Sequence, residues 1–188
     1  MGTTTNAAWR EMLNNYPTPD VVLESERAII VASRENALRY VNENQDKVLQ
    51  AIDKAINAQD NILMLTKDEG YIYTNSRSQH KILITETDAP DPLMYTTNYR
   101  TVFNKDVMGN ILTEKGFSVE GWGPWHELGH MHQQQAWRWS SITEVQVNIF
   151  FSCRRKGDGN LSISVDDVGA ILATRDKIPE KNRRTKRL

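Results

Sequence analysis

The sequence predicts an α+β fold, with a small sheet beside helices. Three observations carry that expectation. Short β-branched and apolar runs recur through the first half, at residues 21–23, 28–31, 62–65, 71–73 and 81–85. An apolar stripe at helical spacing runs from Leu38 through Val41, Val48, Leu49, Ile52 and Ala55 to Ile56, with mostly Asn, Glu, Gln, Asp and Lys between. A dense stretch over residues 121–151 then holds a His-bearing helical pattern, four of the five tryptophans, and an apolar run with a single Glu.

Each element has a local reason. Residues 8–14 form a short helix, stopped by Pro17 and Pro19. Residues 21–23 and 28–31 supply one or two strands. Ser33 has the side chain of an N-cap, and the stripe that follows is one amphipathic helix lying on the sheet, in a structural role. Short strands follow at 62–65, 71–73 and 81–85, then a turn at 88–92 (DAPDP) and an extended stretch at 93–103 (LMYTTNYRTVF). Residues 107–112 make a helical turn that Gly109 weakens. Pro124 is tolerated in a first turn, so a helix begins near residues 123–125. Residues 142–151 (ITEVQVNIFF) fit strand or helix. Helix is favoured, because it returns Glu144 antiparallel against the preceding helix.

Composition narrows the function classes. With 188 residues, 39% of them hydrophobic and 25% charged, the chain has room for one ordinary domain. No run approaches the roughly 18 apolar residues of a transmembrane helix, and the first residues lack the apolar core of a signal peptide. A single cysteine, Cys153, excludes an intrachain disulfide framework and a cysteine-rich zinc module. The net charge of −1 implies no nucleic-acid partner, but it conceals a split: −6 over residues 1–153 and +5 over residues 154–188. The basic run at 181–187 is expected to be a solvated tail. Asp158-Gly159-Asn160 has the look of a calcium loop. Setting Gly159 at the glycine position, however, puts Arg154 and Lys156 where oxygen ligands are needed, so calcium is not expected.

The chemistry centres on His126-Glu127-Leu128-Gly129-His130, an HExxH sequence. On a helix, residues four apart share a face, so both imidazoles can bind one zinc ion while Glu127 projects toward its water. Shuffling this composition gives such a motif with a chance of roughly 0.5%. Catalytic zinc takes three protein ligands and keeps one open position. A later histidine cannot be the third, since none follows His132 and position 136 is Ala. Glu144 is the lone acidic residue between His130 and Asp158. In an apolar stretch such a carboxylate needs a partner, which zinc would supply, although Arg138 or a helix cap would also serve. His132 is off the ligand face by about 120° and is expected to be a packing or surface residue, with substrate contact as the alternative. His80 has no assigned role. Gln133, Gln134 and Gln135 are expected as a solvated helix end, with lining of a cleft as the alternative, and the tryptophans as core rather than a groove wall. Tyr95 and Tyr99 are both conceivable donors to a transition-state oxyanion.

Residues 121–151, GWGPWHELGHMHQQQAWRWSSITEVQVNIFF, resemble the enhancin-like zinc metallopeptidases, which include viral enhancins and bacterial mucin-degrading peptidases. The DPLMYTTNYRTVF stretch over residues 91–103 is similar to an upstream segment of the same family, and the resemblance covers about residues 8–152. It implies a zincin-like fold of the gluzincin type, with a small sheet, the HExxH helix and a following Glu-bearing helix. His126, His130 and Glu144 would be the metal ligands for zinc, and Glu127 the catalytic base. It also implies an extracellular or cell-surface site of action and cleavage of mucin-like, O-glycosylated proteins. From Cys153 the sequence departs from the family pattern. Residues 1–153 are therefore expected to be the N-terminal part of the catalytic domain, truncated at its C-terminus, and residues 154–188 a basic tail. The alternative is a non-catalytic or truncated relative that binds glycoprotein without cutting it.

Overall fold

The structure is a computed structural model and describes residues 3–66, 76–135 and 138–151. The expected strand at residues 71–73, Trp137, and the expected tail at 154–188 with its calcium-like residues lie outside the described residues.

Helix α1 (Asn6–Asn15) is capped by Thr5, whose hydroxyl accepts from the Ala8 N–H, and it buries Trp9 and Leu13. Strands β1 (Asp20–Glu24) and β2 (Ala28–Ser33) pair as an antiparallel hairpin, with Val21, Leu23, Ala28, Ile30 and Ala32 buried by strict alternation. The hairpin turn is held from outside. Asp53 accepts from the Ser25 hydroxyl at 2.6 Å and from the Arg27 and Glu26 amides at 2.9 and 3.1 Å.

The predicted single amphipathic helix is two. Ser33 does cap a helix, accepting from Asn36 N, but that helix, α2, ends at Arg39 (Arg34–Arg39). A turn intervenes, and Asn44 caps a second helix, α3 (Gln45–Ile62), by accepting from Lys47 N. Asn44 competes for the backbone here and supplies a fresh cap, so the stripe breaks. Leu38 is 45% exposed as a result, whereas Val48, Leu49, Ile52, Ala55 and Ile56 are fully buried with Ile30, Ile84 and Phe103 of the sheet.

The expected strand at 62–65 is not formed. Ile62 ends α3, and the chain turns through Met64, whose φ of 55° is left-handed. The apolar run there belongs to a helix end, which a four-residue window does not distinguish from a strand. Strand β3 (Ile82–Thr87) follows, parallel to β2, with α2 and α3 in the crossover. The extended stretch at 93–103 is a hairpin of β4 (Met94–Thr96) and β5 (Arg100–Asn104), closed by the Thr97 hydroxyl accepting from Arg100 N. The five-stranded sheet runs β1-β2-β3-β5-β4, with β5 parallel to β3 and β4 antiparallel at the edge. A 3-10 turn (Lys105–Val107) and two short helices, α4 (Gly109–Leu112) and α5 (Glu114–Ser118), lead to α6 (Trp122–His132). The predicted second helix over 142–151 is two single turns, α7 (Thr143–Gln146) and α8 (Asn148–Phe151).

Helix α6 is fixed from three sides. On β4, the Met94 side chain fills the space a Cβ on Gly123 would need. On the α7–α8 side, a Cβ at Gly129 would come within 2.7 Å of Val147, at the end of α7, and 3.0 Å of Phe150 on α8, so glycine permits the close approach. On α3, Gln59 Nε2 donates to the Trp125 carbonyl at 2.9 Å, and Asp60 Oδ1 lies 3.1 Å from His132 Nε2. His132 Nδ1 donates to the Leu128 carbonyl, and Arg27 pairs with the other Asp60 oxygen at 2.8 Å. Burial alone would push the Asp60 carboxyl up. The His132 hydrogen bond and the Arg27 charge outweigh that, and its pKa lies below the ordinary value.

Two outcomes follow. Ile52→Ala should cost about 2–5 kcal/mol, whereas Leu38→Ala should stay within about 0.5 kcal/mol, both read by denaturant unfolding. Asp60→Ala should cost about 3–5 kcal/mol, because it leaves Arg27 buried and unpaired. The Asp60 contribution is complete above pH ~4 and is lost as pH falls through its lower folded-state pKa. Stability of Asp60→Asn should therefore fall less steeply with acid than that of the unsubstituted protein, in unfolding curves collected down to pH 2.

Candidate metal centre

Helix α6 carries His126 and His130 one turn apart on the face opposite its α3 anchor residue His132, and α7 brings Glu144 across to meet them. His126 Nε2 lies 3.0 Å from Glu144 Oε2, His130 Nε2 lies 3.2 Å from the same oxygen, and the two ring nitrogens are 3.2 Å apart. Arg138, the other partner open to Glu144 from sequence, lines the cleft with it instead of pairing, and the carboxylate turns to the histidines.

The outer nitrogens explain what these three atoms suit. His130 Nδ1 is 2.8 Å from Gln133 Oε1, and His126 Nδ1 is 3.3 Å from Asn148 Oδ1. Asn148 Nδ2 donates to the Glu144 carbonyl, which turns its amide oxygen toward His126. An amide oxygen only accepts, so each Nδ1 is a donor and Nε2 is the nitrogen each ring turns inward, able to give a hydrogen bond to Glu144 or, once deprotonated, a lone pair to a metal. Two Nε2 atoms and a carboxylate oxygen thus converge. Around a metal about 2.0–2.1 Å from each nitrogen, tetrahedral donors sit roughly 3.3 Å apart, close to the spacing found here. His126, His130 and Glu144 could therefore hold a metal ion, with Nδ1 contacts of the kind that orient ligating imidazoles.

The electrostatics agree with the geometry. Hydrogen bonds from His126 and then His130 hold the Glu144 carboxyl far below the usual range, although burial opposes this. Burial pulls the His130 imidazole down, but Glu144 and Gln133 outweigh it and raise it. Glu127 differs from Glu144. Burial pushes its carboxyl up, against the Thr96 hydrogen bond and the nearby histidines. Thr96 Oγ1 sits 2.8 Å from Glu127 Oε2 and 2.9 Å from the Glu127 carbonyl, tying the carboxylate to β4.

These groups open on a cleft of about 440 Å³ between β4 and the segment bearing Glu144. Tyr95, Asn98 and Arg138 line it, whereas Tyr99 is exposed beside Arg100 and is not among the lining residues. The tryptophans divide. Trp125 packs with Phe117 and donates to its carbonyl, while Trp122, stacked 4.8 Å from the His126 ring, and Trp139 are about half exposed or more. His80 lies exposed, away from the triad. Gln133, expected as solvated helix end or cleft lining, lines the cleft and bonds His130. Asn148, four residues after Glu144, was findable as an i, i+4 partner. Thr96 had no local signal, since only the sheet brings β4 beside α6.

Residues 1–155 match a family described as peptidase M60, enhancin and enhancin-like. Among solved structures, a conserved protein of unknown function from Bacillus anthracis str. Ames is 26% identical, with a TM-score of 0.76 over 99% of this chain and 39% of that one. A metallopeptidase from Bacteroides thetaiotaomicron is 21% identical, with a TM-score of 0.69 over 85% of this chain and 26% of its own. A metallopeptidase in complex with Tn antigen is 24% identical, with a TM-score of 0.67 over 85% and 29%. The chain thus spans well under half the length of these proteins. No curated protein matches it. With the family match covering residues 1–155 of 188, and the α+β fold shared with its solved metallopeptidases, the chain belongs to the enhancin-like M60 peptidase family.

Proposed function

We propose that the protein is a zinc-dependent metalloendopeptidase that hydrolyses peptide bonds in mucin-like, O-glycosylated proteins. The observation that carries this is the convergence of His126 Nε2, His130 Nε2 and Glu144 Oε2 beside a buried carboxylate, Glu127, in an open cleft. His126, His130 and Glu144 are the proposed ligands, and Glu127 the proposed base. Two histidines with a carboxylate suit zinc.

When bound, zinc would polarise the scissile carbonyl and make an attacking water acidic. Glu127 accepts the proton of that water and passes it to the leaving amine. Its raised pKa suits a group that must hold a proton between those two events. The Thr96 hydroxyl keeps Oε2 in place while this happens. Strand β4 supplies a docking rail. In its pairing with β5, Leu93 and Thr97 direct their hydrogen-bonding groups inward, so by alternation Met94 and Thr96 direct theirs outward, at the sheet edge. An extended substrate can add there as a further strand, running past Glu127.

The glycoprotein preference is supported by the family and by the related metallopeptidase solved with Tn antigen, a glycan bound by that protein. An extracellular or cell-surface site of action accords with such a substrate. Among the described residues no helix is long and apolar enough to cross a membrane. The alternative is a relative that binds glycoprotein without cutting it.

Elemental analysis should find one zinc per chain, and Glu144→Ala should lose it. Cleavage of a mucin-type glycopeptide should stop on chelation and return with zinc. Glu127→Gln should keep its zinc and lose at least ~10²-fold in turnover. Zinc and glycopeptide binding without cleavage in the unsubstituted protein would favour the alternative.

A further inference from the structure

We infer that Gln133 is a positioning residue of the metal centre, a single amide that sets the tautomer of His130 and ties it to the turn bearing Glu144. This rests on the proposed ligand set. Gln133 is the residue on which α6 ends, and its own amide N–H closes the helix on the His130 carbonyl. Its side chain reaches two ways. Nε2 donates to the Thr143 carbonyl at 2.9 Å, and Oε1 lies 2.8 Å from His130 Nδ1.

The orientation of this amide follows from chemistry. A backbone carbonyl only accepts, so the nitrogen of Gln133 must face Thr143. The oxygen then faces His130, and because that oxygen only accepts, the ring proton must be on Nδ1. Nε2 is thereby turned toward Glu144 and His126, 3.2 Å from each, as the nitrogen left for a metal. The main-chain carbonyl next to Glu144 thereby fixes which nitrogen of His130 can bind a metal.

The bridge also has a mechanical consequence. Glu144 follows α6 by a connection of more than ten residues, and α7 has no side-chain cap at its start. Gln133 fastens the first residue of α7 directly to the end of α6. Asn148 makes the matching link from His126 to the Glu144 carbonyl, but it belongs to the same turn region as Glu144. Gln133 is the one of the two that comes from the helix side. Only a neutral amide of this length can accept from the ring and donate to the carbonyl together. Leucine does neither, and glutamate can accept but cannot donate as a carboxylate.

The test compares the full chain with Gln133→Leu and Gln133→Glu. Zinc affinity is measured by competition with a chromogenic chelator, and the His130 tautomer by long-range proton–nitrogen NMR of the metal-free protein at a pH high enough for the ring to be neutral. Gln133→Leu should bind zinc 10–100-fold more weakly and lose the uniform Nδ1–H form of His130. Gln133→Glu should keep the Nδ1–H form, since it retains the acceptor. Should the leucine variant fail to fold, a change of tautomer in the glutamate variant is enough to overturn the inference. Unchanged affinity and tautomer in Gln133→Leu would also overturn it, while leaving the metal centre standing. Failure of the unsubstituted protein to bind zinc would remove both. If Gln133 were purely stabilising, Gln133→Leu would lower the unfolding temperature of the metal-free protein and leave the tautomer unchanged, and the inference would be overturned.

Discussion

The buried contact between α3 and α6 governs the rest of the molecule. A helix packed by apolar contacts alone can roll about its axis, and a roll of α6 would swing His126, Glu127 and His130 away from the cleft together. Gln59 and Asp60, consecutive on α3, prevent this by gripping α6 near its two ends, at the Trp125 carbonyl and the His132 ring. Arg27, at the start of β2, completes the ion cluster, so the grip extends to the sheet. A buried ionic group of this kind is weak evidence of net stability, but it does define one orientation. The apolar stripe of α3 makes the core, and its polar end aims the metal helix.

From that fixed helix the site is assembled by close approach. Gly129 lets α8 come near enough for Val147 and Phe150 to pack on α6, and Gly123 accommodates Met94 of β4. These contacts bring Glu144 and Thr96 to opposite sides of the same few residues. The two glutamates then diverge in chemistry. Glu144, hydrogen-bonded by both imidazoles, stays ionised, while Glu127, buried against β4, is shifted toward holding a proton. That division suits a ligand and a base, and it comes from surroundings rather than from residue type.

Local signals explain which elements were readable. β1 and β2 are evident because both are short runs of apolar and β-branched residues. The core stripe of α3 was evident too, although the break at Asn44 was not, since a polar residue in the middle of a helix and one at its cap look alike in a single sequence. Residues 62–65 read as a strand because four apolar residues fit either structure. The proposed ligand set reads from the sequence for a different reason. An i, i+4 pair of histidines with an adjacent Glu is local geometry, and elimination left Glu144 as the acidic residue within reach.

What the chain order alone could establish, then, was the HExxH pairing on α6, the core face of α3 and the mixed character of the fold, because each depends on residues within a few turns of one another. What required the folded molecule were the relations across elements: the Asp60 anchor 72 residues before His132, the Thr96 hydroxyl 31 residues before Glu127, and the Gln133 amide between α6 and α7. Polar side chains such as these give no periodic signal. Their roles are set by which acceptor or donor the packing places within 3 Å, and that is decided only when the apolar faces have come together.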